Sequence, residues 1–177
     1  MHLLIRLVVC TFVVQWSSCW NNDWDGPLRI NCPSYMFVAT VRSEHSNTHE
    51  DRRFLLTCRN VAPGLHPNKG SWCKHSGNVN NYDQTVNYQC EGNGYISGME
   101  SVHNNGHEDR IWGYRCCWMR GISMDGCYST GWTNEWDGVQ NYRVRDGYAM
   151  VGVHSVHDNT REDRRFEYRI CKITYVA

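Results

Sequence analysis

The residues of this chain that could do chemistry form a polar set that occurs three times. The set contains a Ser-x-His segment, an asparagine and a Glu-Asp-Arg tripeptide; its members are Ser43, His45, Asn47, Glu50, Asp51, Arg52; Ser101, His103, Asn105, Glu108, Asp109, Arg110; and Ser155, His157, Asn159, Glu162, Asp163, Arg164. Carboxylates and guanidinium groups bind hydroxyls, sulfates and one another through charge-assisted hydrogen bonds. The set could therefore be a ligand site present three times or an internal ion-pair system.

The alternation of residues around each tripeptide favours the internal role. Each arginine lies on the same face of a predicted strand as an aromatic residue, and a buried arginine requires a charged partner. We predict structural ion pairs within Glu50, Asp51, Arg52, Glu108, Asp109, Arg110, Glu162, Asp163 and Arg164. The flanking residues vary between copies, and we predict that they contact a ligand: His49, Arg53, His107, Arg161 and Arg165.

A metal centre and a cofactor are not predicted. The spacing of His45 and His49 could hold zinc, but the third copy has Arg161 at the second position, and arginine cannot be a ligand. The chain has no Cys-x-x-Cys pair of the zinc-binding kind. The aromatic-Asp pairs that open each copy could contribute to a calcium site, but Asp25-Gly26 and Asp137-Gly138 are more simply explained as turns.

Catalytic motifs are absent from the sequence. It contains no Gly-x-Ser-x-Gly, no phosphate-binding loop and no His-Glu-x-x-His, which are the motifs of several common enzyme classes. We therefore predict that the protein is not an enzyme.

Residues 1–19 have the pattern of a signal peptide. A weakly basic start is followed by an apolar run from Leu7 to Val14, and Ser17 and Cys19 fit a small-x-small cleavage site. The run is shorter than the roughly 20 residues of a membrane-spanning helix. We predict a secreted, extracellular protein that does not span the membrane, with one domain at 20–177 and repeats at about 22–59, 72–117 and 126–171.

The eight cysteines that follow residue 19 have spacings that specify how they pair. An even number of cysteines in a secreted chain indicates disulfides. Two pairs at equivalent repeat positions share a separation of 26, and two share a separation of 44: Cys32 with Cys58, Cys90 with Cys116, Cys73 with Cys117, and Cys127 with Cys171. In the third repeat Val144 and Ile170 replace both partners of the first bridge. We predict these four bridges.

The periodicity predicts an all-β fold with three short antiparallel strands per repeat. One strand ends at Cys32, Cys90 or Val144, a second begins at about Met36, Ile96 or Met150, and a third follows each Glu-Asp-Arg, as the alternation of apolar residues indicates. Three copies suit a disulfide-stapled, pseudo-threefold arrangement that leaves no sheet edge exposed. The sequence leaves prism-like and trefoil-like arrangements open.

The charge of the chain excludes an electrostatic attraction to nucleic acid. The sequence has 18 basic and 18 acidic residues, and it has no basic run, whereas a nucleic-acid-binding surface has a basic patch or stripe. We predict no nucleic-acid partner.

Several motifs resemble those of the dermatopontin family, and in particular its invertebrate agglutinins and aggregation factors. They are Asn-Asp-Trp-Asp at 22–25, Asp-Arg-x-aromatic at 51, 109 and 163, the doublet Cys116-Cys117, and Cys171 near the end. The resemblance implies a secreted, non-enzymatic protein that binds cells, matrix components or glycans. The acidic, tyrosine-rich N-terminal tail of vertebrate members has no counterpart here, which weakens an expectation of collagen or proteoglycan binding.

Two functions follow as hypotheses. The first is a lectin-like agglutinin that binds cell-surface or matrix glycans, including sulfated ones, through several weak equivalent sites. The second is a structural matrix protein that binds other matrix proteins. The ligand, the tissue, the oligomeric state and the number of active repeats are left open by the sequence.

Overall fold

Eleven β-strands form the protein in the computed structural model, which describes residues 20–62 and 70–176. The described residues contain no helix. The strands are β1 (Leu28–Asn31), β2 (Met36–Ser46), β3 (Asp51–Asn60), β4 (Ser71–Asn78), β5 (Val86–Gln89), β6 (Tyr95–Asn104), β7 (Asp109–Met119), β8 (Ile122–Trp132), β9 (Gln140–Arg143), β10 (Tyr148–Asp158) and β11 (Asp163–Tyr175).

The strand after each Glu-Asp-Arg buries the face that the alternation predicts. In β3, Arg52, Phe54 and Leu56 are buried, whereas Arg53 and Leu55 are only partly buried. The equivalent positions of β7 and β11 are also buried. The all-β prediction is thereby confirmed.

The three sheets are built by exchange of strands between repeats. Each sheet contains a hairpin of one repeat and the short strand of the preceding repeat: β1 pairs with β6, β5 with β10, and β9 with β2. The pairing therefore runs from the first repeat to the second, from the second to the third, and from the third back to the first. The connectivity is a closed cycle, and the symmetry of the arrangement stays a prediction.

A β-bulge at the same position of each hairpin supports this exchange. The register shifts around Ala39, Ser97 and Val151. The carbonyl of each bulged residue accepts a hydrogen bond from the residue that follows the neighbouring repeat's short strand, as in Cys32 N to Ser97 O at 2.7 Å. A bulge leaves one backbone carbonyl unpaired within its own hairpin. Here that carbonyl points toward the adjacent repeat and is paired there.

The middle of the core is a triangle of aromatic rings, one from each repeat. Phe54, Trp112 and Phe166 contact one another edge to face, with ring centroids 5.3, 5.4 and 5.8 Å apart. All three side chains are fully buried. Edge-to-face contacts add to the stabilisation from burial alone.

The structure contains the four disulfides that the cysteine spacing predicts. They are Cys32–Cys58, Cys90–Cys116, Cys73–Cys117 and Cys127–Cys171. The first two join the ends of a short strand and a hairpin within one repeat. The other two attach outer strands, because Cys73 lies in β4 and Cys127 lies in β8.

Two features differ from the expectation. The strands β4 and β8 were not predicted, because their residues lack apolar alternation and are mostly exposed. The sheets are also not joined into one hydrogen-bonded barrel: two have four strands, one has three, and each ends in edge strands. The sheets are linked through the repeats that contribute strands to two of them, and they pack against one another around the aromatic triangle. The predicted signal peptide, 1–19, lies outside the described residues.

Candidate ligand-binding site

The three repeated arginines form a cyclic system of buried ion pairs between repeats. Arg110 contacts Asp51 through two hydrogen bonds, both 2.6 Å long. Arg164 pairs with Asp109 at 2.5 and 2.7 Å, and Arg52 pairs with Asp163 at 2.5 and 2.8 Å. All six side chains are at most 4% exposed.

Each arginine also donates hydrogen bonds to a serine hydroxyl and to a backbone carbonyl. Arg110 donates to the Ser101 hydroxyl at 3.0 Å and to the Gly26 carbonyl at 3.0 Å. The serine is the first residue of the Ser-x-His segment, which explains its recurrence. The Asp51 carboxylate also accepts a hydrogen bond from the Asp25 backbone at 2.9 Å, which ties the aromatic-Asp turn to the pair.

The glutamates of the tripeptides are not members of these pairs, contrary to the expectation. Glu50, Glu108 and Glu162 have positive φ angles of 47°, 45° and 47°, so each leaves the strand path immediately before the buried aspartate. Burial raises the pKa of Glu108, and the Glu50, Asp25 and Asp51 carboxylates raise it further against the opposing effect of His103. The pKa of Glu162 is raised in the same way.

The cavity beside this ion-pair system is too small for a sugar. Its volume is about 20 Å³, and it is lined by all three tripeptides and the aromatic triangle. Such a volume accommodates roughly one water molecule. The repeated tripeptides therefore hold the repeats together, and a ligand has to be sought on the surface.

The repeated histidines occupy the three junctions between repeats. The side chains of His45, His103 and His157 are each 1% exposed. His103 lies 3.7 Å from Asp25 and 3.9 Å from Asp51, both from the preceding repeat. The pairing of His45 with His49 that zinc would require does not occur, because His49 stacks on Trp24 at the surface.

The first repeat has a surface stack of aromatic rings and one arginine. The Arg53 guanidinium lies between Trp20 and Trp24, 4.7 Å from each ring centroid. The outer face of Trp24 is stacked on His49, with centroids 5.4 Å apart and an interplanar angle of 7°. Arg53 also pairs with Glu44 at 2.5 Å. We call this group the first ladder.

The third repeat has an equivalent stack. Arg165 lies between Trp132 and Trp136, 4.5 and 4.9 Å from their centroids, and Arg161 takes the place of His49 at 5.9 Å from Trp136. The Arg165 side chain is 21% exposed and contacts Glu135 at 3.5 Å. We call this group the third ladder.

The second repeat lacks a complete ladder. His107 stacks on Tyr82 at 4.6 Å, but Ile111 replaces the arginine and Asn78 replaces the first tryptophan. A groove of about 570 Å³ opens there, lined among others by Tyr82, Asn78, Ile111, Arg29 and Glu100. This volume is within the usual range of ligand clefts.

The comparisons with known proteins agree with the sequence motifs. Residues 22–175 match the family described as dermatopontin. The chain belongs to the dermatopontin family. It is 35% identical over 169 residues to the hemagglutinin/amebocyte aggregation factor of Limulus polyphemus, covering 94% of this chain and 95% of that protein.

Other dermatopontin relatives are more distant. The dermatopontin of Biomphalaria glabrata is 30% identical, over 82% of this chain and 95% of that protein. The Millepora cytotoxin-1 of Millepora dichotoma is 29% identical, over 85% of this chain and 65% of that protein. No solved structure matches the chain.

Membership of the dermatopontin family confirms the prediction that the chain is not an enzyme, because the family and its agglutinin relatives are adhesion or aggregation proteins. In this dermatopontin-family structure, the five residues predicted to contact a ligand all lie beside the aromatic-Asp turns, and none belongs to the buried ion pairs.

Sequence reasoning missed two groups in this member of the dermatopontin family. Trp20 and Trp132 complete the ladders, and their equivalent repeat positions are the signal that could have identified them. Asn22, Asn80 and Asn134 each bond the backbone of a strand after the tripeptide, as in Phe54 N to Asn22 Oδ1 at 2.8 Å. In the described residues no helix is long and apolar enough to cross a membrane.

Proposed function

We propose that the protein is a secreted, adhesive agglutinin that binds extracellular glycans through its surface ladders and so links cells. The observation that supports this most directly is the presence of two Trp–Arg–Trp stacks on one chain, at equivalent positions of the first and third repeats. A bivalent molecule can link two surfaces, and its avidity exceeds the affinity of either site.

The chemistry of a ladder suits an acidic or sulfated sugar. A guanidinium binds sulfate or carboxylate oxygens in a bidentate manner. Trp24 is already stacked on Arg53 and His49, so we expect a sugar ring to contact the outer face of Trp20 in the first ladder. Arg53 remains 31% exposed, and its partner Glu44 is 34% exposed. An exposed ion pair contributes little net stability, so an anionic ligand can displace the carboxylate at small cost.

The second repeat offers a chemically different surface. Its groove combines the Tyr82 ring with Arg29 and Glu100, which are paired at 3.8 Å. A groove with balanced charge suits a neutral sugar better than a sulfated one. The three repeats are therefore unequal in the proposed function, and the first and third supply the bivalence.

The name of one relative supports the agglutinating function. The Limulus polyphemus protein is a hemagglutinin and an amebocyte aggregation factor, and it aligns over nearly its whole length. The present chain is proposed to act in the same general manner outside the cell.

An agglutination assay with substituted ladders tests this function. Purified protein is mixed with erythrocytes, with heparin and neutral sugars as competitors. Arg165→Ala, which breaks only the third ladder, should retain binding to immobilised heparin but lose agglutination at least tenfold, because one ladder cannot link two cells. Arg53→Ala with Arg165→Ala should lose both activities.

The matched control is Trp72→Ala. Trp72 is 59% exposed, but it stacks on Trp118 at 4.0 Å, away from the ladders. This variant should agglutinate like the unsubstituted protein. Unchanged agglutination by the double arginine variant, with its disulfides intact, would exclude the ladders as the binding sites.

The same control addresses the alternative function, a structural matrix protein that binds other proteins. The Trp72 and Trp118 pair is an exposed aromatic surface of the kind enriched in protein interfaces. Two results together would favour this alternative. Trp72→Ala would lose adhesion to a coating of matrix protein, and the unsubstituted protein would bind no glycan.

A further inference from the structure

The three junction histidines are buried among carboxylates without being hydrogen-bonded to them. The His103 side chain is 1% exposed, and neither of its ring nitrogens has a hydrogen-bond partner. Its Nδ1 lies 3.7 Å from Asp25, and its Nε2 lies 3.9 Å from Asp51 and 3.7 Å from Glu108. A buried polar group without a partner is costly, so this arrangement requires an explanation.

The junction between the second and third repeats has the same arrangement. His157 Nδ1 lies 3.6 Å from Asp83, and Nε2 lies 3.9 Å from Asp109. Its Nε2 is also buried without a hydrogen-bond partner, although Nδ1 contacts Asn159 Oδ1 at 3.1 Å. In both junctions one histidine nitrogen and two aspartate oxygens lie within 4.8 Å of one another.

None of these separations is that of a direct hydrogen bond, and one ion binds only one nitrogen of an imidazole. A nitrogen–oxygen hydrogen bond has a length of about 2.7–3.2 Å. Two ligands that each lie about 2.0–2.2 Å from a tetrahedral zinc ion are about 3.3–3.5 Å apart. In each junction one histidine nitrogen has both aspartate oxygens within 4.8 Å, and the partly exposed Asp25 and Asp83, both 35% exposed, can move to shorten these separations toward the zinc value.

The local charge also favours a cation. The three junctions contain nine carboxylates, namely Asp25, Asp51, Asp83, Asp109, Asp137, Asp163, Glu50, Glu108 and Glu162, and three paired arginines, Arg52, Arg110 and Arg164. Nine negative charges less three positive charges leave a net charge of −6, whereas the whole chain has 18 charges of each sign. The excess is concentrated around the three buried imidazoles.

We propose that His103 with Asp25 and Asp51, and His157 with Asp83 and Asp109, each bind one divalent transition-metal ion of the Zn²⁺ type. An imidazole combined with carboxylates suits zinc better than calcium, which prefers oxygen ligands alone. Asp51 and Asp109 keep their arginine partners, and the ion occupies the side of the carboxylate that faces the histidine. Each ion links two neighbouring repeats.

The third junction does not form an equivalent site. His45 Nδ1 lies 3.3 Å from Asp163 and Nε2 lies 3.7 Å from Asp137, but among the described residues only the His103 and His157 junctions have one histidine nitrogen and two aspartate oxygens within 4.8 Å of one another. The expected stoichiometry is therefore two ions per chain rather than three.

Metal titration of the protein tests this proposal. The secreted protein is dialysed against EDTA and then titrated with ZnCl₂, with CaCl₂ in parallel, by calorimetry and elemental analysis. We expect about two equivalents of Zn²⁺, binding at least tenfold tighter than Ca²⁺, and a rise of the melting temperature on Zn²⁺ addition. Absence of Zn²⁺ binding below millimolar concentration, or stronger binding of Ca²⁺, would overturn the proposal.

Asparagine substitutions locate the sites without unfolding the chain. Asp25 has a φ angle of 57° and Asp83 has one of 62°. Asparagine tolerates this left-handed conformation. Asp25→Asn and Asp83→Asn should each bind one equivalent, and the double variant none. His103→Leu, which leaves the second site intact, should also bind one.

The control is His75→Ala, because His75 is 50% exposed and lies 3.7 Å from Glu100. This variant should still bind two equivalents. Retention of both equivalents by Asp25→Asn with Asp83→Asn would show that the ions bind elsewhere and would overturn the assignment.

Discussion

At the residue scale, the buried Arg–Asp pairs determine which repeat lies beside which. Each arginine is bonded to the aspartate of the preceding repeat, to a serine of its own hairpin and to a turn carbonyl of the preceding repeat, as Arg110 illustrates. Because buried charges are stable only with their partners, a different packing of the repeats would leave them unpaired. The pairs therefore select one arrangement of the three repeats.

Removal of one arginine should destabilise the protein strongly. Arg110→Ala leaves the Asp51 carboxylate buried without a counter-ion, and we expect a loss of about 3–5 kcal/mol in the free energy of unfolding, measured by urea denaturation with intact disulfides. Arg110→Met with Asp51→Asn should lose less, because no charge is left unpaired. Arg143 is exposed, and its replacement by alanine should change stability only slightly, as surface substitutions usually do. A loss in Arg110→Ala no larger than in Arg143→Ala would contradict the structural role.

Acid should weaken the pair of Arg52 and Asp163. Burial opposes ionisation of Asp163, but the close contact with His45 and the hydrogen bonds from Arg52 outweigh it and lower the pKa to about 2 from 3.8. The Asp163 carboxyl binds a proton at a higher pH in the unfolded chain than in the folded one. The stabilisation that it contributes is therefore fully present above about pH 4 and is lost as the pH falls toward 2. The loss should be about 2 kcal/mol for this group. Urea unfolding at pH 5 and pH 2.5 measures this loss of unfolding free energy. A smaller loss in Asp163→Asn would assign it to this carboxyl group, whereas an equal loss in both proteins would contradict the prediction.

At the element scale, the short strands act as connectors between repeats. The strands β1, β5 and β9 have four residues each and are hydrogen-bonded to a hairpin of the following repeat. A strand of this length is not stable alone. The close approach of β1 to β6 also explains Gly98, because a Cβ there would lie 2.7 Å from the Ile30 carbonyl.

A methyl group on residue 98 should push the strands β1 and β6 apart. We expect Gly98→Ala to cost about 1–3 kcal/mol, because the contacted atom belongs to backbone that cannot rotate away. Gly106→Ala is the control: a Cβ there meets only the end of the Asn104 side chain, and the other repeats have Thr48 and Thr160 at this position. Thermal unfolding compares them, and equal melting temperatures would contradict the close contact.

At the scale of the whole molecule, the cycle of strand pairing makes the three repeats one cooperative unit. The first repeat receives β9 from the third and gives β1 to the second. The aromatic triangle and the Arg–Asp cycle require all three repeats as well. The ladders, in contrast, belong each to one repeat and can change independently, as the second repeat illustrates.

A chain truncated after Arg120 should therefore not fold. It lacks β9 for the first hairpin, Phe166 for the triangle and Asp163 for Arg52. We expect no cooperative thermal transition and no near-ultraviolet circular dichroism, whereas a chain of residues 20–176 should show both. A cooperative transition in the truncated chain would show that two repeats suffice.

The features determined by the sequence alone are those set by local periodicity or by equal spacing. The strand after each Glu-Asp-Arg follows from alternation in residues such as Phe54 and Leu56, and the bridges follow from matching intervals between equivalent cysteines. The strands β4 and β8 were missed because they are exposed. A strand that is held by a disulfide and by backbone hydrogen bonds at the edge of a sheet does not need apolar alternation.

The identity of charged partners was decided only by the tertiary structure. Asp51 is adjacent to Arg52 in the sequence, yet it binds Arg110, and Arg52 binds the distant Asp163. Neighbouring residues on a strand point to opposite faces, so they cannot form such a pair, whereas the cyclic packing brings together residues of different repeats. The same packing places His103 beside Asp25 and Asp51. The sequence thus determined the repeated unit and its bridges, and the contacts between units depended on how three copies close around one core.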